Sequence, residues 1–449
     1  MRVLKFGGSS VADATCLRRV AERVATAAPG GAVVVLSAMG KTTDALFRAG
    51  RAAREGDAER ALAEAAGVIE THRATARELF GATLPAELEH ALEGQFAELE
   101  AVLRGVSLLR ELSTRSMDAL ASHGERLSTR LFAALVESRG LPTTLVDART
   151  VVRTDERFGC AQPQRDAIRR LAAERIAPEL AAGRVVVTQG YIGSTADGRT
   201  TTLGRGGSDW TAALLGAALG ADEVQIWTDV EGVYTADPRV VPGAGPIEEL
   251  SFSEAAELAA FGAKVLHPET IQPAVEAHIP VTVRHTERPD GRFTTIREHV
   301  REGRPVTALA SRGPIAIVTV TSTRMLEHSG FLARLFEVFA RLDVSVDLVA
   351  TAEVSVSLSV EADAPLERLR EELERFARVE VATERALVAL VGERLKQTHG
   401  IAARAFRALE DVNVELISMG ANEINLSVVV ARDRAEDAVR RLHGAFFER

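Results

Sequence analysis

Short apolar runs alternate with long amphipathic stretches over the first two thirds of the chain. Val3-Leu4-Lys5-Phe6, Ala32-Val33-Val34-Val35-Leu36, Thr144-Leu145-Val146, Val185-Val186-Val187-Thr188, Val224-Gln225-Ile226-Trp227 and Val281-Thr282-Val283 read as strands. The Ala/Leu/Glu/Arg-rich segments between them, notably 51–80 and 85–120, carry apolar residues at helical spacing. Strand–helix alternation predicts a mainly parallel sheet covered by helices on both faces. Ligands of such sheets sit in the loops that follow the carboxyl ends of the strands.

From Arg284 to Arg304 the chain is charged and turn-rich (HTERPDGRF, then REGRP), which marks a domain boundary. After it the pattern repeats. Ile315–Thr321 reads as a strand, Gly330–Leu342 as a helix, Val344–Ala350 and Val354–Val360 as strands, and Pro365–Ala377 as a helix. The same order returns in Ala386–Val391, Gly400–Leu409, Val412–Ser418, Ile424–Val430 and Arg434–Leu442. GFLARLFEVFARLDVSVDL is answered by GIAARAFRALEDVNVEL, and an internal duplication of a βαββα unit is the economical reading.

At 449 residues the chain is long enough for two or three domains. Aromatics make up only 4%, so Ala, Val, Leu and Ile must build the cores. A net charge of −9 gives no reason to expect a nucleic-acid partner, and any site for a polyanion must concentrate its Lys and Arg locally. Cys16 and Cys160 show no metal-ligand or disulfide spacing, which fits a reducing compartment. The opening MRVLKFGGSS reads as a strand and a glycine turn, and no apolar run reaches the ~20 residues that span a bilayer. A cytoplasmic protein is expected.

Six stretches can carry chemistry. Lys5-Phe6-Gly7-Gly8-Ser9-Ser10 follows a strand, and its glycines and ammonium suit a phosphate cradle, although an ordinary turn reads equally well. In Ser37-Ala38-Met39-Gly40-Lys41-Thr42-Thr43-Asp44 a P-loop fails, because Val35 stands where its first glycine belongs; Ser37 and Thr43 remain as polar contacts. Ser122-His123-Gly124-Glu125-Arg126 places a histidine beside a glycine read as a turn, an arrangement that is more often structural than catalytic. Glu125 can hold a substrate ammonium, or be a first-turn acid that suits a helix dipole. The run from Gly198 to Asp209, TTTLGRGGSD at its heart, leads into a helix with Ser208 or Asp209 as cap, a natural seat for phosphate or carboxylate. Trp227-Thr228-Asp229 through Tyr234 to Arg239 suits a nucleoside and its phosphates. Lys264, inside the apolar Phe261-Gly262-Ala263-Lys264-Val265-Leu266-His267-Pro268, needs a partner for its charge.

In this order and spacing, KFGGSS, SHGER, TTTLGRGGSD, WTDVEGVYTADPR and FGAKVLHP resemble the signatures of the aspartate kinases of the amino-acid-kinase family. The resemblance spans essentially the whole chain, since the duplicated tail is similar to the paired ACT domains of the monofunctional, lysine-sensitive class. It implies an α/β/α sandwich of the amino-acid-kinase type over residues 1–295, followed by two α+β ACT domains of βαββα form at 296–383 and 384–449. It implies transfer of the γ-phosphoryl group of ATP, with nucleotide-borne Mg²⁺, to the β-carboxylate of L-aspartate. Lys5 and Asp209 would then be catalytic, with Gly7, Gly8 and Ser9 along the phosphate path. Thr43, Glu125, Arg205 and Ser208 would bind aspartate, and Thr228, Asp229, Tyr234, Arg239, Lys264 and Val265 the nucleotide. L-Lysine would inhibit through Met325, His328, Phe331, Leu332, Ser345, Val346, Asp347, Ala352 and Glu353, and ACT pairing would make a homodimer or homotetramer. His328 and Ala352 depart from the family pattern and bear on effector choice. Two alternatives stay open: another phosphotransferase of the same fold, and an inactive amino-acid sensor.

Overall fold

The computed structural model describes residues 1–262, 266–300, 304–325, 329–420 and 422–448. By contact the chain divides into two units, Met1–Val233 with Leu266–Glu298, and Tyr234–Val265 with His299–Arg449.

The first unit opens with β1 (Arg2–Phe6), α1 (Ala14–Ala27), β2 (Ala32–Leu36), α2 (Thr42–Arg54), α3 (Ala58–Phe80), α4 (Ala86–Leu109) and α5 (Thr114–Ser138). It continues with β3 (Thr143–Val146), α6 (Arg165–Arg175), α7 (Ala177–Ala181), β4 (Val185–Gln189), β5 (Ile192–Ser194), β6 (Thr200–Thr202), α8 (Gly207–Leu219) and β7 (Glu223–Thr228). The second unit takes β8 (Glu249–Ser251) and α9 (Phe252–Ala260); the first resumes with α10 (Pro268–Glu276), β9 (Val281–His285) and β10 (Thr294–Arg297). Its strand order is β3-β4-β2-β1-β7-β9-β10, parallel up to β9 and antiparallel at β10. β1 is therefore central, with Lys5 in register with Val35 on one side and Ile226 on the other. Val3, Leu4 and Phe6 are fully buried, each stabilising the sheet by about 1.5–3 kcal/mol.

The helical stretch 51–80 proves to be two helices, α2 ending before Gly56, whose φ of +83° suits glycine, and α3 starting after it. The stretch 85–120 likewise divides at Arg110, which is left-handed, and α5 then runs on to Ser138. The β5–β6 hairpin was not foreseen. Cys16 and Cys160 are free thiols, and among the described residues no helix is long and apolar enough to cross a membrane.

The second unit holds β11 (Ala308–Thr321), α11 (Phe331–Arg341), β12 (Val349–Thr351), β13 (Ser355–Glu361) and α12 (Leu366–Glu374). The order is then repeated in β14 (Arg378–Val391), α13 (Ile401–Ala408), β15 (Leu416–Met419), β16 (Asn425–Ala431) and α14 (Ala435–Phe447). The two βαββα repeats share one antiparallel sheet, β12-β13-β11-β14-β16-β15, in which β11 and β14 pair from Ala308↔Val391 to Thr321↔Arg378. Each repeat keeps its own core, around Val318, Phe339 and Leu358 in the first and Leu390, Leu409 and Val428 in the second. The strand expected over 344–350 shrinks to β12. There the Ser359 hydroxyl accepts from the Leu348 N–H at 2.9 Å and takes up a ladder position.

Residues 234–260 are built into this unit. The Leu309 N–H donates to the Thr235 carbonyl at 2.7 Å, and the Thr235 hydroxyl lies 3.0 Å from Nε2 of buried His443. Buried Glu254 accepts from the Ser251 N–H, the Thr307 hydroxyl and the Glu393 N–H.

Candidate active site

The carboxyl ends of β1, β2 and β4, with α5 and the start of α8, enclose a cavity of about 720 Å³. Its walls take Lys5 and Gly8 from the end of β1, Ser37, Ala38, Gly40, Thr43 and Asp44 from the turn after β2 and the start of α2, and Glu125 from α5. Tyr191 follows β4, and the loop Gly204–Gly206 leads into Gly207, Ser208 and Asp209 of α8. This is the strand-end location that parallel sheets reserve for ligands.

Lys5 and Asp209 meet across it. Nζ lies 2.7 Å from Oδ1, and the two side chains are 12% and 14% exposed, so the pair is little screened by solvent. Neither Ser208 nor Asp209, the two cap candidates for α8, is its cap. Gly206 occupies the cap position at φ +70° with no side-chain bond, and both residues lie in the first turn. The free N–H end of an uncapped helix thus reaches the cavity wall. The Ser37 hydroxyl donates to Ser208 Oγ at 3.0 Å, and Ser128 of α5 donates to the Ser37 carbonyl at 2.8 Å. The turn after β4 passes so close to α8 that a Cβ on Gly190 would stand 2.6 Å from Cβ and Oγ of Ser208.

Glu125 is in the middle of α5, not in a first turn, and Gly124 is a helix residue, not a turn. A Cβ on Gly124 would lie 2.7 Å from that of Ala38, so the missing side chain lets α5 pack against the β2 turn. Glu125 is 3% exposed; Oε1 accepts from the Ala38 N–H at 3.2 Å, while Oε2 has no hydrogen-bond partner among the described residues. Burial pushes its carboxyl up to about 8, against the pull of the Ala38 bond. His123 is buried, bonds to the Ala119 and Leu120 carbonyls of its own helix, and does not line the cavity. It is structural. Arg205 is exposed at the cavity wall and makes no ion pair among the described residues.

Two side chains missed by the sequence reading stand here. Tyr191 lines the cavity with φ +68°, a conformation that costs a non-glycine residue about 1–3 kcal/mol and marks a constrained site. Its N–H donates to the Thr211 hydroxyl at 3.1 Å, its carbonyl accepts from the Leu203 N–H at 2.9 Å, and burial pushes its phenol up to about 12. Asp118, two turns before Glu125, is buried and holds β6. A tyrosine after a strand and an acid in a helix carry no sequence signal of either role.

Not every expected residue gathers here. Gly7 and Ser9 flank the cavity-lining Gly8 without lining the cavity themselves. Thr228 closes β7, and its hydroxyl donates to exposed Asp229 at 3.1 Å. Tyr234 and Arg239 belong to the second unit, where Arg239 is exposed and paired with Asp237 at 2.6 Å. Lys264, Val265 and His328 lie outside the described residues. Of the effector residues, Met325 ends a short helical turn, Phe331 and Leu332 open α11, and Ser345, Val346 and Asp347 form the stretch before β12. Ala352 and Glu353 follow β12 and are exposed. Asp347 is ion-paired with Arg312.

A model of the amino acid kinase family matches residues 1–285, and one of the ACT domain matches residues 388–446. Lysine-sensitive aspartokinase 3 of Escherichia coli (strain K12) is 41% identical over 460 residues, covering 99% of each chain. The chain belongs to the aspartokinases of the amino acid kinase family. Aspartokinases are ATP-dependent kinases that act on aspartate. Another member, the chloroplastic aspartokinase 3 of Arabidopsis thaliana, is 39% identical over 99% of this chain and 81% of its own length. Two crystal structures of E. coli aspartokinase III match at 40% identity over 100% of both chains. The complex with lysine and aspartate, a T-state, gives a TM-score of 0.83; the complex with aspartate and ADP, an R-state, gives 0.85. The aspartate kinase of Clostridium acetobutylicum gives 0.85 at 27% identity, over 99% of this chain and 100% of its own.

Proposed function

We propose that this aspartokinase moves the γ-phosphoryl group of ATP to the β-carboxylate of L-aspartate, giving 4-phospho-L-aspartate, in the cavity that Lys5 and Asp209 bridge. The observation that carries the proposal is that ion pair, fixed at 2.7 Å among Glu125, Arg205 and the uncapped end of α8. A carboxylate with a pKa near ~4 is already ionised at neutral pH, so the acceptor needs no general base. The barrier lies in bringing one anion to another. Lys5 sits at the end of the central strand, where its charge offsets that repulsion and stabilises the moving phosphoryl group. Asp209 holds the Lys5 ammonium in place, while Gly7, Gly8 and Ser9 offer backbone to the phosphates. The unpartnered oxygen of Glu125 takes the substrate ammonium, Arg205 takes its α-carboxylate in bidentate fashion, and Thr43 and Ser208 complete the pocket.

Thr228, Asp229, Tyr234, Arg239, Lys264 and Val265 are assigned to the nucleotide by family resemblance. Mg²⁺ is assigned to the nucleotide and not to the protein. Three carboxylates reach the cavity: Asp209 is committed to Lys5, Glu125 is buried and Asp44 is exposed, and among the described residues no group of three or more His, Cys, Asp or Glu could hold a metal, so no step is routed through a protein-held one. Residues 1–295 are assigned to catalysis, and 296–383 and 384–449 to the ACT pair. L-Lysine is assigned as inhibitor, supported by the ACT match and by the E. coli relative that bears lysine in its name. A homodimer or homotetramer formed through the ACT pair, and a cytoplasmic location, complete the proposal.

The test is ADP release from MgATP with L-aspartate, with L-glutamate as rival acceptor, and with and without L-lysine. Lys5→Ala should lower kcat by roughly 10²–10³-fold while nucleotide still binds. Near-normal turnover in that variant would remove Lys5 from the mechanism.

A further inference from the structure

We infer that Asp118 is a positioning residue for the amino-acid substrate, fixing the end of β6 to α5 and so setting the spacing between Arg205 and Glu125. The inference rests on the reading of those two groups as holders of the substrate's carboxylate and ammonium.

Asp118 is 2% exposed. Its Oδ1 accepts from the Thr202 hydroxyl at 2.8 Å, and its Oδ2 from the Thr202 N–H at 3.0 Å and the Gly159 N–H at 2.9 Å. No cation pairs with it among the described residues, so these donors alone hold a carboxylate that burial disfavours. What they order is specific. Thr202 ends β6 two residues before Gly204, where the loop carrying Arg205 begins. On its other side the Thr202 carbonyl accepts from the Ala161 N–H at 2.9 Å, so the 159–161 turn is tied to the same point.

Asp118 and Glu125 are seven residues apart on one helix, nearly two full turns. They therefore share a face about 10 Å apart along the axis. α5 acts as a ruler, with Glu125 at one mark in the cavity and the root of the Arg205 loop fixed at the other. A substrate gripped at both ends by charge is sensitive to that distance, since small misplacements of a binding group are costly in rate and affinity.

The experiment is steady-state kinetics of the full chain, varying aspartate and MgATP separately, for Asp118→Asn, Thr202→Val and the double variant, with melting temperatures alongside. Asn keeps the volume but turns an amide N–H toward donors. Val removes the hydroxyl's bond to Asp118, together with its contact to the Tyr191 phenol, and keeps both backbone bonds. KM for aspartate should rise roughly tenfold in Asp118→Asn and roughly threefold in Thr202→Val, with KM for ATP within about twofold in both. The double variant should fall short of the product of the two effects. A purely structural role would lower the melting temperature and the active fraction and leave both KM values alone, and that result overturns the inference. So does a parallel rise of both KM values. If Asp118→Asn does not fold, Thr202→Val decides: an unchanged KM for aspartate rejects the role. A wild-type chain without aspartate turnover would reject the functional reading itself, before any variant is made.

Discussion

With its carboxyl pushed up to about 8, Glu125 is mostly protonated at neutral pH until a cation comes to its free oxygen. An arriving ammonium favours the ionised form, so aspartate binding below that pH must release a proton. Apparent affinity for aspartate should therefore rise with pH up to about 8, by at most about tenfold per unit, and then level off. Glu125→Gln should bind aspartate more weakly and flatten that profile. A wild-type profile flat from pH 6 to 8 would place the ammonium elsewhere. In the ligand-free chain the same raised group stabilises the fold below its ordinary pKa, and that contribution is lost as pH rises through about 8. His123 has the opposite sign. Burial, then the neighbouring Arg126, depress it to about 4, so on acidification the unfolded chain takes a proton before the folded one does. Its contribution is complete above pH ~6.5 and is lost as pH falls toward 4, on the order of 3 kcal/mol in all. Because Glu125 works in the opposite direction over the same window, the loss is read by difference: on going from pH 7 to 5 in urea unfolding, His123→Asn should gain stability relative to the wild type.

Among the elements, α5 brings Glu125 to the cavity wall, and its tight approach to the β2 turn gives a sharp test. In an exposed helix Gly→Ala gains up to about 1 kcal/mol. At Gly124 the added methyl would meet Ala38 at 2.7 Å, and overpacking of this kind costs about 1–3 kcal/mol. Gly124→Ala should thus lower the melting temperature, and it should raise KM for aspartate because Ala38 also holds Glu125. A stabilised variant would show that the gap closes without strain. The same helix marks where reading from sequence stops. The strand-end stretches around Lys5, Thr43 and the Gly204–Asp209 loop were legible, because an apolar run followed by glycine and polar residues has a meaning local to the chain. SHGER was legible only in part: Glu125 stood out and lines the cavity, but Gly124 is required by a neighbour 86 positions away and a lone glycine looks like a turn. Asp118 escaped notice for the same reason: its donors come from Gly159 and Thr202, and only the fold brings them to it. In the second unit the duplication was legible, yet the shortness of β12 was not, because one serine hydroxyl replaces a backbone partner.

At the scale of the whole molecule, an inhibitor must bind a low-activity state better than the active one. If lysine does so through Asp347, it must share that carboxylate with Arg312. Asp347→Asn should raise the half-inhibitory lysine concentration by roughly tenfold and leave KM for aspartate unchanged when lysine is absent. Lysine at about 100 times its dissociation constant should stabilise the wild type by about 2.7 kcal/mol, visible as a higher melting temperature, and the variant should lose that shift. Equal shifts in both would move the effector site away from Asp347. Finally, the second unit is assembled from two separate stretches of chain, with Thr235 and Glu254 bonded to Leu309, His443, Thr307 and Glu393. Lifted out as a C-terminal cassette it would lose those bonds. A transplant of residues 299–448 onto another enzyme would leave those donors and acceptors without mates, so gene fusion at one junction will not confer this regulation, and any chimaera needs two.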